Sequence, residues 1–491
     1  MKCSVSIGEG TVLLCGGCCR TAGGFGMLAA MSKSVTILGA GLAGCETALQ
    51  LADRGFSVKL IEMRPSLMTP VHRTGRCAEL VCSNSLKGVK SSSAPGMLKG
   101  ELDALGSRLI SIARRHAVAA GGALAVDRDA FSKEVDDRIE GHKNIRLIRQ
   151  EATSIRAASD DADALVIATG PLTSDALAAD LSGLTGRTHL SFFDAAAPIV
   201  MADSLDTHRL FRQSRYEGDA DTPGDYLNAP FSKDEYDSFI GELLDAERVI
   251  RRAFESKDLF QACQPVEEVA RAGWDAPRFG MLKPVGLTDP RTGHRPWAAL
   301  QLRAEDAGGM SYNLVGFQTN LTFPEQKRVF RLIPGLERAE FSRYGVMHRN
   351  TFVDAPRLLD VDLRLTCSSG KGMPSPVFLA GQIAGTEGYC EAIRSGLHVA
   401  LAIAAEFGSV DLPSLPRETA FGALMAYATD PATKDYQPMH VNFGIMPPLD
   451  PPVRNKRARY DAYAARGAEA LSDYRANLME RGLLVRGGTS G

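Results

Sequence analysis

Val35-Thr36-Ile37-Leu38-Gly39-Ala40-Gly41-Leu42-Ala43-Gly44 runs from a strand into a glycine loop. Val35 to Leu38 is an unbroken apolar run, the pattern of a strand buried on both faces of a parallel sheet. The loop opens a helical stretch from Cys45 to Arg54, closed by Gly55. A second apolar strand, Val58 to Ile61, ends in Glu62. Each part has a task in holding a dinucleotide. Gly39 permits the tight turn, Gly41 lets the backbone approach a pyrophosphate, and Gly44 lets helix and strand pack closely. Ala40, Leu42 and Ala43 complete this cofactor-binding loop. The helix N-terminus offers unpaired N–H groups and a partial positive charge to the phosphates. Glu62 stands about 20 residues beyond the loop, where a carboxylate accepts from ribose hydroxyls. A lone G-x-G-x-x-G is weak evidence. Inside a strand–loop–helix–strand unit with the acid in place, it is strong.

Two later stretches turn the reading from NAD to FAD. Leu165-Val166-Ile167-Ala168-Thr169-Gly170 is another buried strand ending in a small-residue turn, and Val377-Phe378-Leu379-Ala380-Gly381-Gln382 repeats that pattern far downstream. Two-part flavoproteins bring such strands back beside the first unit. The expected fold is therefore α/β: a Rossmann-like, two-part FAD-binding domain with an inserted α+β domain and a helical C-terminal tail. The expected boundaries are a leader over 1–31, the FAD-binding domain over 32–170 and 360–410, the inserted substrate domain over 171–359, and the tail over 411–491.

A chain of 491 residues exceeds what one core usually fills, in keeping with several domains. Hydrophobic residues at 44% and charged residues at 23% describe an ordinary globular protein. No apolar run reaches the ~18 residues needed to span a membrane. A net charge of −2 gives no global attraction to nucleic acid, so a polyanion would have to meet local basic patches. Ten cysteines, irregularly spaced, do not make a disulfide framework and point to a reduced, cytoplasmic chain. The first 30 residues differ from the rest: Cys3, Cys15, Cys18 and Cys19 sit among glycines, and Met31 stands just before the first strand. A start placed too early, a disordered tail and a targeting segment are the three readings, the first being preferred. A zinc site from Cys15, Cys18 and Cys19 lacks a second pair, and no metal is expected.

Longer stretches are recognisable. GAGLAGCE (39–46), IEMRP (61–65), AELVCSNSLK (78–87), ATGPLTS (168–174), RFGMLKPVGL (278–287), VGFQTNL (315–321), YGVMHRNTF (344–352) and AGQIAGTEGYCEAIRSGL (380–397) resemble the folate- and FAD-dependent tRNA (uracil-5-)-methyltransferases, relatives of the glucose-inhibited division protein A family. The resemblance implies that methylenetetrahydrofolate gives a one-carbon unit to reduced flavin, which passes it to carbon 5 of a uridine. NADPH or NADH supplies the reducing equivalents. The usual target is the T-loop uridine of tRNA. Two other readings stay open: the same chemistry on ribosomal RNA, and a flavoprotein that docks on RNA without methylating it. The sister branch acting on a wobble uridine has longer chains and lacks the ELVCSNSL cysteine. Membrane and DNA are not expected partners.

Uracil carbon 5 is a poor nucleophile until a thiolate adds at carbon 6, and a base must later remove the carbon-5 proton. The resemblance implies Cys82 and Cys263 as the catalytic pair, Cys263 attacking uracil and Cys82 acting as the second thiol. Cys45, Cys77, Cys367 and Cys390 read as core residues, although Cys77 is near enough to Cys82 in sequence for a disulfide under oxidation. Gly381 and Gln382 open a turn before a helical run near Glu391 to Ala405, placing N–H groups toward the flavin. Lys327, Arg328, Arg331 and Arg343, with His348 and Arg349, are the candidates for RNA or substrate contact. A second basic cluster, Arg454, Lys456, Arg457 and Arg459, precedes helical periodicity from Tyr460 to Leu484, which would cover the flavin domain, bind RNA or join subunits.

Overall fold

The computed structural model describes residues 33–186, 190–215, 224–249, 264–366, 373–433 and 436–484. The leader lies outside the described residues, as do Cys263 and Cys367.

The four apolar runs, joined by a fifth strand with two arginines that the sequence reading did not mark, form one parallel sheet in the order Val377–Leu379, Ala164–Ile167, Ser34–Leu38, Ser57–Glu62, Ile145–Arg149. Ile37 registers with Leu60 on one side and Val166 on the other, and all three are fully buried. The strand that feeds the glycine loop is central, so connections leave it in both directions and a crevice opens at its carboxyl end. The expected Rossmann-like class is what the chain adopts.

The first helix, Leu42–Asp53, is buried from Ala43 to Ala52 because the helix Tyr389–Phe407 packs along it. Gly396 makes that approach possible: a Cβ there would overlap the backbone of Ala43. The Thr47 hydroxyl donates at 2.9 Å toward the carbonyls of Ala43 and Gly396, tying the two helices at their closest point.

A second sheet, antiparallel throughout, runs Phe211–Arg212, Tyr226–Phe231, Ala298–Ala304, Ser311–Leu314, Ile199–Met201, Phe341–Arg343. Its own core includes Phe231, Phe239, Phe317 and Phe330, brought in partly by the helices Lys233–Asp245 and Phe323–Phe330. The core of the parallel sheet draws instead on residues from Val35 to Leu181 and again from Phe352 to Tyr463.

The C-terminal helix spans Lys456–Glu480, one turn earlier than periodicity indicated. Asn455 caps it by accepting from Ala458 N at 3.0 Å, and its first turn is solvent-exposed and basic, so no apolar repeat marked it. Tyr474 and Leu478 pack on Leu105, Leu397 and Leu401, so the helix covers the back of the parallel-sheet layer. Among the described residues no helix is long and apolar enough to cross a membrane.

Candidate active site

Gly39 adopts φ +96° and donates its N–H to Ile61 O at 2.7 Å; a Cβ there would come within 2.6 Å of Ala168 O. The tight turn thus requires glycine. Gly41 caps the first helix without any side-chain hydrogen bond, and a Cβ on it would meet nothing within 4 Å. The helix N-terminus therefore opens onto space, with its first N–H groups available to an anion. That space is a cavity of about 940 Å³ whose walls include Gly39, Gly41, Leu42, Ala43, Glu62, Gly170, Gly381 and Gln382. Its volume lies at the upper end of the ~300–1,000 Å³ typical of ligand and cofactor sites. Ala40 and Gly44 are buried behind this wall.

Glu62 has a first duty inside the protein. Its Oε2 accepts from Ala40 N at 2.8 Å, while Oε1 accepts from Arg64 N at 3.0 Å and Arg64 Nε at 2.8 Å. Burial raises its pKa, but the Arg64 charge and these donors outweigh it and hold the carboxyl below its ordinary value. A carboxylate oxygen accepts two hydrogen bonds, so Oε2 keeps room for a ribose hydroxyl. Gly381 has φ +82° and donates to Ser395 Oγ at 2.7 Å, and the Gln382 amide donates to Glu387. The helix behind them begins at Tyr389, earlier than the Glu391 expected.

Cys82 is partly exposed on the same cavity, and side chains from both sheets' surroundings fix the segment that carries it. The Tyr389 hydroxyl accepts from Cys82 N at 2.9 Å and from Ser83 N at 3.3 Å. Arg128 donates to Leu80 O at 2.6 Å and to Cys82 O at 3.2 Å, and pairs with Glu305 beyond the second sheet's long strand. The Arg343 guanidinium donates to Val81 O. Arg303 Nε reaches Asn84 Oδ1 at 2.7 Å, and Asn84 Nδ2 donates to Val126 O at 3.0 Å and Ala304 O at 2.9 Å.

Arg128, Arg303 and Arg343 thus converge on the segment that carries Cys82, giving it an electropositive surround. Burial, then repulsion from Arg128 and Arg73, brings Arg343 down to about 10, leaving it a cation at neutral pH. Burial, then the charge of Cys82, pushes the Tyr389 phenol up, so it stays protonated. On the same wall, burial and then Arg64 push His72 down to about 4, so its imidazole is neutral.

The other sequence candidates fall in different places. Cys263 lies outside the described residues; three positions on, Val266 donates to Gln318 O at 2.7 Å, and Gln318 lines the cavity. Lys327 and Arg328 are exposed on the helix Phe323–Phe330, where Arg328 pairs with Glu325 and Glu242. Arg331 donates to Ala339 O at 2.9 Å. Arg343 is buried against the Cys82 segment, not beside them. His348 and Arg349 lie on the strand Met347–Phe352, which pairs with Leu190–Ala195. Arg343, being buried, shares no surface with Lys327 and Arg328.

Cys45, Cys77 and Cys390 are buried, and Cys367 lies outside the described residues. Cys77 hydrogen-bonds with Cys45, and that contact, then burial, raises its pKa. Fully enclosed, it offers no accessible thiol for a disulfide with Cys82. The sequence reading missed Arg64, His72, Arg128 and Tyr389 as site residues. Arg64 and Tyr389 sit inside recognisable motifs, IEMRP and EGYCE, whereas nothing local distinguishes Arg128.

A family model described as Glucose inhibited division protein A matches residues 34–410. The chain belongs to this family. Its similar relatives include proteins named Methylenetetrahydrofolate--tRNA-(uracil-5-)-methyltransferase TrmFO. That of Heliobacterium modesticaldum is 51% identical over 444 residues, covering 90% of this chain and 98% of the relative. That of Geobacter sulfurreducens is 52% identical over 430 residues, covering 87% and 96%. Among solved structures, Aquifex aeolicus GidA superposes with a TM-score of 0.63 at 15% identity, covering 92% of this chain and 75% of that one. At that identity the likeness is one of fold. It agrees with the two-part, Rossmann-like family architecture described above.

Proposed function

We propose that this chain methylates carbon 5 of the T-loop uridine of tRNA, giving ribothymidine, with methylenetetrahydrofolate as one-carbon donor and NADPH or NADH as reductant. The observation that carries the reading is the meeting of Cys82 with an uncapped, glycine-lined helix N-terminus in one cavity. The 51% identity to a protein named Methylenetetrahydrofolate--tRNA-(uracil-5-)-methyltransferase supports the folate donor, the tRNA substrate and carbon 5 of uracil as the target.

The cavity suits FAD: open space at Gly41, unpartnered helix N–H groups and the Glu62 carboxylate match pyrophosphate and ribose. Gly39, Gly41, Leu42 and Ala43 would hold the pyrophosphate, shaped from behind by Ala40 and Gly44, with Gly170, Gly381 and Gln382 along the rest of the cofactor. Bound and reduced, FAD supplies the carrier for the one-carbon unit between folate and uracil.

The chain's own part is acid–base and nucleophilic work. Cys263 is assigned as the thiolate that adds to uracil carbon 6, turning carbon 5 into an enolate carbon able to attack the methylene. Cys82 is assigned as the second thiol, for removal of the carbon-5 proton or capture of an intermediate. Tyr389, Arg128 and Arg343 hold Cys82 in place through its backbone. The same reading assigns 32–170 and 360–410 to the cofactor and 171–359 to substrate, in the cytoplasm. Among the cations from Lys327 to Arg343, Lys327 and Arg338 are exposed with no carboxylate partner among the described residues, which favours them as phosphate contacts.

The test is tritium release from carbon-5-labelled uridine in unmodified tRNA transcript, with methylenetetrahydrofolate, NADPH and protein shown to carry FAD. Release by the parent, and its loss in both Cys82→Ala and Cys263→Ala, is expected. Release from ribosomal RNA but not tRNA would move the target. Silence on both with FAD bound would sink the methylation reading.

A further inference from the structure

We propose that the exposed basic end of the C-terminal helix, Arg454 to Arg459, is a docking surface for the phosphodiester backbone of folded RNA at the mouth of the cavity. The proposal rests on the RNA-directed reading above and says where the RNA backbone sits.

Arg454, Lys456 and Arg457 are exposed and Arg459 is partly so. Among the described residues none of the four pairs with a carboxylate, although Asp450 and Asp461 are close in sequence. In the 326–349 stretch, by contrast, Arg328 is paired with two glutamates, Arg331 is tied to a carbonyl and Arg343 is buried. Three of the four cations stand in the first turn of a 25-residue helix that has no acid there. Helix polarity disfavours cations at an N-terminus, so the cluster gains nothing from its own helix. Carboxylates and the helix end leave these charges uncompensated, and a polyanion would compensate them.

The cluster also adjoins the site. Lys456 Nζ lies 5.7 Å and the Arg459 guanidinium 5.9 Å from the centroid of the Tyr460 ring. Tyr460 packs on Phe443 at 4.5 Å between centroids, and Phe443 stacks on Tyr463 at 5.1 Å. Tyr460 and Phe443 both line the cavity that Cys82 lines. A basic edge thus continues into an aromatic rim and then into the cavity. Phosphates would bind the edge while one nucleotide turns inward, the arrangement required for chemistry on a base.

The experiment measures affinity of the full chain for unmodified tRNA transcript against KCl concentration. The parent is compared with a variant carrying Arg454→Gln, Lys456→Gln, Arg457→Gln and Arg459→Gln, and with a control carrying Lys327→Gln and Arg338→Gln. Each lost phosphate contact lowers the slope of log affinity on log salt by about 0.7–0.9. A drop of about three to three and a half in slope is therefore expected for the fourfold variant, more than for the control, with its flavin absorbance and melting temperature retained. A parent that binds tRNA while the fourfold variant keeps its slope overturns this surface and leaves the function standing. A parent that binds no tRNA at any salt overturns both.

Discussion

Arg343 is 7% exposed, and its guanidinium reaches from the edge of the antiparallel sheet to Val81 O and Val71 O, on the segment that presents Cys82. Arg343→Ala leaves the Val81 carbonyl without that donor, a loss of about 1–3 kcal/mol at a buried polar group. It also removes one of three cations that converge on the Cys82 segment. The expected outcome is a fall in turnover of at least tenfold with FAD absorbance intact, only partly restored by Arg343→Lys, whose ammonium lacks the planar fork. Single-turnover methylation beside the visible spectrum of each variant checks this; normal turnover in Arg343→Ala would refute the positioning role. Arg343 also shows how residue type can be read while the role is not. Its charge and neighbours suggested an RNA patch, and only its burial against a distant segment shows that it faces Cys82.

The glycine loop and the helix Tyr389–Phe407 meet through Gly396, where an added Cβ would overlap the Ala43 backbone. Gly396→Ala should therefore destabilise by about 1–3 kcal/mol, since neither helix backbone can give way without moving the loop. Gly100, inside the helix Ala94–Ala104, has nothing within 4 Å of a built Cβ. Gly100→Ala should stabilise by about 0.5–1 kcal/mol through helix propensity alone. Urea unfolding of the two variants gives opposite signs if the helix contact is as tight as described. Equal effects would mean that the first helix has slack. The position of the first helix was legible in the sequence, from its glycine loop and apolar run. Its partner was not, because the contact joins residues some 350 positions apart through a glycine that looks ordinary in its own helix.

Two acids lie inside the protein away from the cavity. Burial lifts Glu101 to about 7 against the pull of Arg394, and it accepts from Ala420 N at 2.6 Å. Burial likewise lifts Glu267 to about 7, where it accepts from Asn320 N at 2.6 Å and Thr319 Oγ1 at 3.0 Å. Each folded-state pKa stands above the ordinary 4.5. Their contribution to stability is therefore complete below pH 4.5 and is lost as pH rises through 7. Each is worth about 3 kcal/mol over that window. Denaturant unfolding at pH 5 and pH 8 should show a smaller pH dependence in Glu101→Gln and Glu267→Gln than in the parent. An unchanged pH dependence in both variants would mean these carboxyls titrate normally.

Local sequence determined the four apolar parallel strands, the glycine turn and the presence of the first helix, which begins at Leu42, three residues before the Cys45 expected. These depend on neighbours within a few residues: apolar runs bury on both faces, and a positive-φ turn admits glycine. Tertiary structure alone decided that the Glu62 carboxylate first braces the loop through Ala40 and Arg64, and that Tyr389, Arg128 and Arg343 hold the Cys82 segment. It also decided which basic residues face solvent uncompensated and which are buried or paired. The physical reason is shared. Burial and pairing of a charge depend on what the rest of the chain brings beside it, and those partners stand tens to hundreds of positions away.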